Sequence, residues 1–185
     1  MNDIFSNTKA ISGAIRQLRP SDQPRFRDHL LRLDAASRRD RFNGYVDDAF
    51  ISAYVDRSFA EGTTVVGYVE DDRILGAAEL HERPEEMEPT AEIAFSVERP
   101  LQHRGIGGML FERLIEQARG FGYTRLLVTT HPDNLAMRAL ARRYNAGLSF
   151  GAGEAVGTIE LPPLPGVDLE RTPASFPSRP VSPGR

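Results

Sequence analysis

The chain has 185 residues, 40% of them hydrophobic and 26% charged, the balance of a single globular domain with one core. A formal net charge of -3 supplies no basic excess to neutralise a phosphate backbone, which argues against a nucleic-acid binder. Cysteine is absent, so disulfides, thiolate metal sites and a cysteine nucleophile are excluded; with no signal-like N-terminus and no run long enough to span a bilayer, a cytoplasmic protein away from membranes is expected.

Gly13 to Arg19 alternates Ile15 and Leu18 with polar residues and stops at Pro20, which predicts a short strand. Ser21 or Asp22 can cap a helix carrying Phe26, Leu30, Leu31 and Leu33. After a break at Asn43 and Gly44, a second helix is expected from about Asp47 to Ala60. Its predicted buried stripe is Ala49, Phe50, Ala53, Tyr54 and Phe59. The arginines at 38, 39 and 41 read as a solvated helix end.

Thr63 to Val69 and Arg73 to Leu80 are rich in Val, Ile and Leu, and the acidic turn at residues 70–72 between them predicts an antiparallel hairpin. From Thr90 to Glu98 the alternation is clean, with Ala91, Ile93, Phe95 and Val97 on one face and Glu92, Ala94, Ser96 and Glu98 on the other. A helix follows from Gly107 to Phe121, with Met109, Leu110, Leu114, Ile115, Ala118 and Phe121 on one stripe. The buried strand Arg125 to Thr130 then completes a strand–helix–strand unit whose connection favours parallel pairing.

Asp133 or Asn134 caps a further helix with Met137, Leu140, Ala141 and Tyr144, ending near Asn145 and Gly147. Strands at Leu148 to Gly151 and Ala155 to Leu161 close the folded part. Beyond Leu161, prolines accumulate while apolar side chains become scarce, which predicts a disordered tail over 162–185. Residues 1–12 are expected to be flexible, leaving 13–161 as the domain.

The segment Gln102-His103-Arg104-Gly105-Ile106-Gly107-Gly108 sits between an alternating strand and an amphipathic helix. Backbone amides at a helix start lack internal partners, and the helix dipole makes that end partly positive, so an anion is favoured there. Gly105, Gly107 and Gly108 remove side chains that would hold a phosphate away, and His103 and Arg104 add donors. A dinucleotide-binding turn would need glycine at position 110, where Leu110 stands, and a Walker A loop would need Gly-Lys-Ser or Gly-Lys-Thr. A tight turn that binds nothing remains open on this short pattern alone.

Gln102 to Gly107 matches the acyl-coenzyme A loop Q/R-x-x-G-x-G/A, and here the sequence resembles the GCN5-related N-acetyltransferase (GNAT) superfamily. The strand AEIAFSV, the loop, the long helix, the strand RLLVTT and the helix with NLAMRAL occur in family order. Within that superfamily the stretch is most similar to bacterial protein-lysine-acetyltransferase-type domains. The resemblance implies a mixed α/β fold whose central sheet is mostly antiparallel, with one parallel strand pair splayed at an acyl-CoA cleft.

For the site, it implies pyrophosphate contacts from His103, Arg104, Gly105, Ile106, Gly107 and Gly108, with Gln102 opening the loop. Phe95, Ser96 and Val97 would line the pantetheine arm and acyl carbonyl, and Asn134 would contact coenzyme A. Acetyl-CoA would be the co-substrate and a primary amine the acceptor.

An alkylamine is almost wholly protonated at neutral pH, so attack on a thioester needs a base. The resemblance puts Glu92 in that role, ahead of Glu98, Glu79, His131 and His103; a plain strand carboxylate or ion-pair partner is its other reading. The family tyrosine that protonates the leaving thiolate falls on Ala141, so Tyr144, one turn on, is either its substitute or a core residue. The four histidines show no metal-ligating spacing, and no metal is expected. A non-catalytic acyl-CoA-binding module is the alternative function, and the sequence leaves a homodimer open.

Overall fold

A computed structural model describes residues 12–151 and 153–162. The expected flexible N-terminus and proline-rich tail therefore lie, but for their inner ends, outside the described residues. Those described form one sheet of seven strands in the order β1-β2-β3-β4-β5-β7-β6.

β1 (Ala14–Gln17), β2 (Thr63–Glu70), β3 (Arg73–Glu82) and β4 (Thr90–Val97) pair antiparallel in sequence order. Asp71 and Asp72 both take left-handed backbone angles in the β2–β3 turn, φ 50° and 60°, the geometry that matches the twist of a tight hairpin. The chain then crosses over through α4 (Ile106–Gly120) to β5 (Arg125–Thr130), which lies parallel to β4. β7 (Glu154–Glu160) pairs antiparallel with both β5 and the edge strand β6 (Gly147–Gly151).

Helices cover both faces. α4 packs Leu110, Phe111, Leu114 and Ala118 against Val66, Ala78, Ile93, Leu126 and Val128 in one apolar cluster. α1 (Gln23–Arg32) and α3 (Asp48–Arg57) pack Phe26, Leu30, Ile51 and Val55 against Val65, Ile74 and Ala77 on the other face. Each large side chain buried in these layers contributes about 1.5–3 kcal/mol relative to exposure.

Four local expectations change. The early helix is two: Leu33 turns to an extended conformation, and Asp34 caps a separate α2 (Ala35–Phe42) by accepting a bond from the Ser37 amide at 2.8 Å. On α3 the buried residues are Ile51 and Val55, whereas Phe50 is 45% exposed, so the stripe is rotated from the one expected. Arg38 and Arg41 are not a solvated helix end. Arg38 donates to the carbonyls of Leu33 and Leu31, and Arg41 is buried against Glu79 and Tyr54. α5 (Leu135–Arg143) stops one residue before Tyr144.

Candidate functional site

β4 and β5 pair only from Thr90↔Arg125 to Ile93↔Val128. Beyond that point β4 continues to Val97 beside β3, while β5 stays with β7 to its last residue, Thr130↔Ala155. Two parallel strands that follow different neighbours must diverge. The divergence opens a cavity of about 460 Å³, lined by Ala94 to Val97 of β4, by Thr129 and Thr130 of β5 and by the start of α4.

At its α4 end, Gly105 is the N-cap with φ 84°, a left-handed conformation that glycine takes without strain. It has no side chain to cap the helix, and Met109 N–H bonds back to its carbonyl at 3.1 Å. The amides of residues 106–108 lie in the first turn, where backbone donors have no partner within the helix. A Cβ placed on Gly105 or Gly107 would meet nothing within 4 Å, so the space over this turn is open. Arg143 of α5 lines the same end; its guanidinium lies 3.5 Å from where a Cβ on Gly108 would stand. The arrangement offers an anion backbone donors, a helix dipole and one cation.

The sequence-predicted residues divide. Phe95, Ser96, Val97, Gln102, His103, Gly105, Gly107, Gly108 and Asn134 line the cavity. Ile106 turns its side chain into the core at 1% exposure, and neither it nor Arg104 is among the lining residues. Gln102 acts as a brace: its amide donates to Val97 O at 3.0 Å and to Ser37 Oγ at 3.2 Å, tying loop, β4 and α2 together. Asn134 caps α5, accepting from Met137 N–H at 2.9 Å while donating to Thr130 Oγ1 at 2.9 Å.

Glu92 is held elsewhere. It forms an ion pair with Arg83 at the end of β3 and does not line the cavity. Tyr144 is also off the wall: its ring packs 4.2 Å from that of Phe111, and its hydroxyl lies 3.5 Å from Glu112 on α4. Of the weaker candidates, Glu79 is buried in a cluster with Arg41, Tyr54 and His81. Burial opposes its ionisation, but the charge of Arg41 and bonds from His81 and Tyr54 outweigh it and hold the carboxyl at about 2. His131 accepts from Asp133 N–H at 3.2 Å and is not on the wall, whereas His103 is.

Sequence reasoning missed the contribution of α2. Ser37, Asp40 and Arg41 line the cavity from the side opposite α4. Asp40 Oδ1 is shut off from water without a hydrogen bond, and burial raises its carboxyl above the usual range. The signal was present in Asp34, three residues before Ser37, a helix-start spacing hidden by the absence of glycine or proline at the break.

A family model for the acetyltransferase (GNAT) family matches residues 26–146. The chain belongs to the GNAT acetyltransferase family. Its members are acyl-CoA-dependent N-acetyltransferases, and the divergent β4/β5 pair and the α4 loop fall inside the matched range. An acetyltransferase of Pseudomonas aeruginosa is 29% identical over 132 residues, 68% of this chain and 70% of that protein. Among solved structures, the GNAT domain of PAT from S. lividans superposes with a TM-score of 0.70 at 19% identity, covering 80% of this chain and 90% of that one. YncA of Salmonella typhimurium, solved with its cofactor acetyl-CoA, gives a TM-score of 0.60 at 19% identity over 85% of this chain and 98% of that one. These likenesses concern the fold.

Proposed function

We propose that this GNAT protein moves an acetyl group from acetyl-CoA to a primary amine, of a small molecule or of a protein lysine or N-terminus, by direct attack of the amine on the thioester. The observation that carries the reading is the opening of the β4/β5 gap onto the uncapped first turn of α4. The pyrophosphate sits on the amides of 105–108 with Arg143 beside them. The pantetheine arm runs into the gap along Phe95 to Val97, taking the edge that β5 leaves without a partner. The related fold of YncA, solved with acetyl-CoA, supports the same co-substrate here.

The amine enters from the α2 side, where Asp40 supplies a negative charge that favours an ammonium group. Glu92 has no place at the reacting atoms while Arg83 holds it, and Tyr144 has none while it faces Glu112. Acceptor activation therefore belongs to other groups on the cavity wall.

The test is calorimetric titration with acetyl-CoA followed by a thiol-release screen over polyamines, amino acids, aminoglycosides and peptides with free lysines or N-termini. Saturable binding and turnover with one acceptor class are expected. Binding without turnover on any amine would leave the acyl-CoA-binding module, and absence of binding would overturn both. Asp40→Asn is expected to raise KM for the amine while leaving acetyl-CoA affinity near wild type.

A further inference from the structure

Ser96 and Glu98 lie two residues apart on β4 and its extension, so their side chains emerge on the same face, the one covered by α1. α1 sets His29 between them. His29 Nε2 lies 2.9 Å from Ser96 Oγ, and Nδ1 lies 3.2 Å from Glu98 Oε1. His29 is fully buried, its ring stacked near that of Phe26, and Ser96 is 6% exposed while still lining the cavity. Glu98 Oε1 also accepts from Arg32 Nε at 2.9 Å.

The proton positions follow from the partners. Burial alone would raise Glu98, but hydrogen bonds from His29 and Arg32 outweigh it and hold the carboxylate below its usual range. An ionised carboxylate only accepts, so Nδ1 of His29 carries the proton. Burial pushes the imidazole down, against the pull of Glu98, and keeps the ring neutral. Nε2 then has a lone pair, and the Ser96 hydroxyl donates to it. The Ser96 oxygen is left as an acceptor on the wall of the acyl cleft, in the half of β4 that has no β5 partner.

We propose that Ser96, His29 and Glu98 form the proton relay of the acetyl transfer, with Ser96 Oγ taking the proton of the attacking amine as its own hydroxyl proton passes to His29 Nε2. The proposal rests on the acetyl-transfer reading above and names the base that reading lacks. As the bond from amine nitrogen to acyl carbon forms, nitrogen loses one proton to Ser96, and the imidazolium that results faces the Glu98 carboxylate. As the carbon–sulfur bond breaks, the same path returns that proton to the departing thiolate. Products are the amide and free coenzyme A thiol, and the relay is back in its starting state. An acceptor that arrives as an ammonium ion gives its extra proton to water beforehand.

The charges around His29 set where the relay titrates. Glu98 of the β4 end and Glu79 of β3 favour its protonation, whereas burial and Arg32 on α1 oppose it. Burial lowers His29 from the ordinary histidine value of 6.5, so the ring accepts a proton and blocks the relay only below that lowered value. The rate therefore rises with pH along a limb that belongs to His29, on the acid side of 6.5.

The experiment compares kcat, KM for acetyl-CoA and the pH profile of the wild-type protein with Ser96→Ala, His29→Gln and Ser96→Thr. Ser96→Ala and His29→Gln are expected to lower kcat by about 10²-fold, the usual scale of a lost general base, with calorimetric affinity for acetyl-CoA near wild type. Both are expected to lose the acid limb, and Ser96→Thr, which keeps a hydroxyl, to retain it. Ser96→Ala removes one oxygen and leaves His29 in place, so it keeps the test sharp if His29→Gln unfolds. Wild-type kcat and pH profile in Ser96→Ala would overturn the relay while leaving acetyl transfer standing. Mass-spectrometric detection of an acetyl group on Ser96 after incubation with acetyl-CoA alone would replace it with a covalent route. Absence of any wild-type turnover would sink the transferase reading and the relay together.

Discussion

The two halves of β4 carry the same alternation but live in different surroundings. Ala91 to Ile93 is paired on both sides, with Leu80 to Glu82 of β3 and with Leu126 to Val128 of β5. Ala94 to Val97 is paired with β3 alone, because β5 follows β7 instead. Glu92 in the first half is paired with Arg83 and does not line the cavity. Ser96 in the second half faces both the cleft and His29. The cleft is made by the loss of a neighbour, and residues of similar pattern are covered by a second strand or face the cavity according to which side of Ile93 they fall.

The largest expected effect lies at the junction of the halves. Glu79 pairs in register with Ala94, and its carboxylate meets Arg41 inside the protein. Glu79→Gln leaves the buried guanidinium without its counter-charge and is expected to cost about 3–5 kcal/mol in urea unfolding. The group's value falls from 4.5 to about 2 on folding, so its stabilisation is present above pH 4.5 and fades as pH falls toward about 2. The variant is expected to lose that acid slope.

The open end is probed by Gly107→Glu. A Cβ there meets nothing, and a carboxylate in the first turn of α4 suits the helix dipole, so thermal stability should hold or rise slightly. The same charge stands against a bound pyrophosphate, and acetyl-CoA affinity is expected to fall by about 100-fold. Equal loss of stability and affinity would mean that the turn is structural.

A smaller effect comes from His29. Its value is lowered on folding, so between that lowered value and 6.5 the unfolded chain binds more protons, and stability increases with pH across the window. His29→Gln is expected to flatten that part of the stability profile. The smallest effect is expected from Glu92→Gln, which breaks a part-exposed ion pair worth at most about 1 kcal/mol. Its fall in kcat should be smaller than that of Ser96→Ala, and the reverse order would return Glu92 to the role of base.

Much of the scaffold was legible because it is written in local spacing. The alternation of 90–98, the acidic hairpin turn, the glycines before α4 and the strand at 125–130 each rest on neighbours within a few residues. Their assembly into a cleft followed from the resemblance to a family. What sequence could not carry were the long-range occupants of each side chain. His29 reaches Ser96 across 67 positions, and Glu92 is claimed by Arg83, just past the end of β3, neither of which leaves a periodic trace. Helical spacing left Tyr144 as either a cleft acid or a core residue; the helix ends at Arg143 and the ring turns onto Phe111, as the second reading has it.

The central claim is that the diphosphate of acetyl-CoA rests on the first turn of α4 while its arm fills the gap beside the second half of β4. Backbone amide NMR during an acetyl-CoA titration tests it directly. The account predicts that the largest shifts fall on the amides of 103–108 and 94–97, with Thr63 to Val66 of β2 little changed. Shifts concentrated elsewhere, or none at saturating ligand, would contradict it.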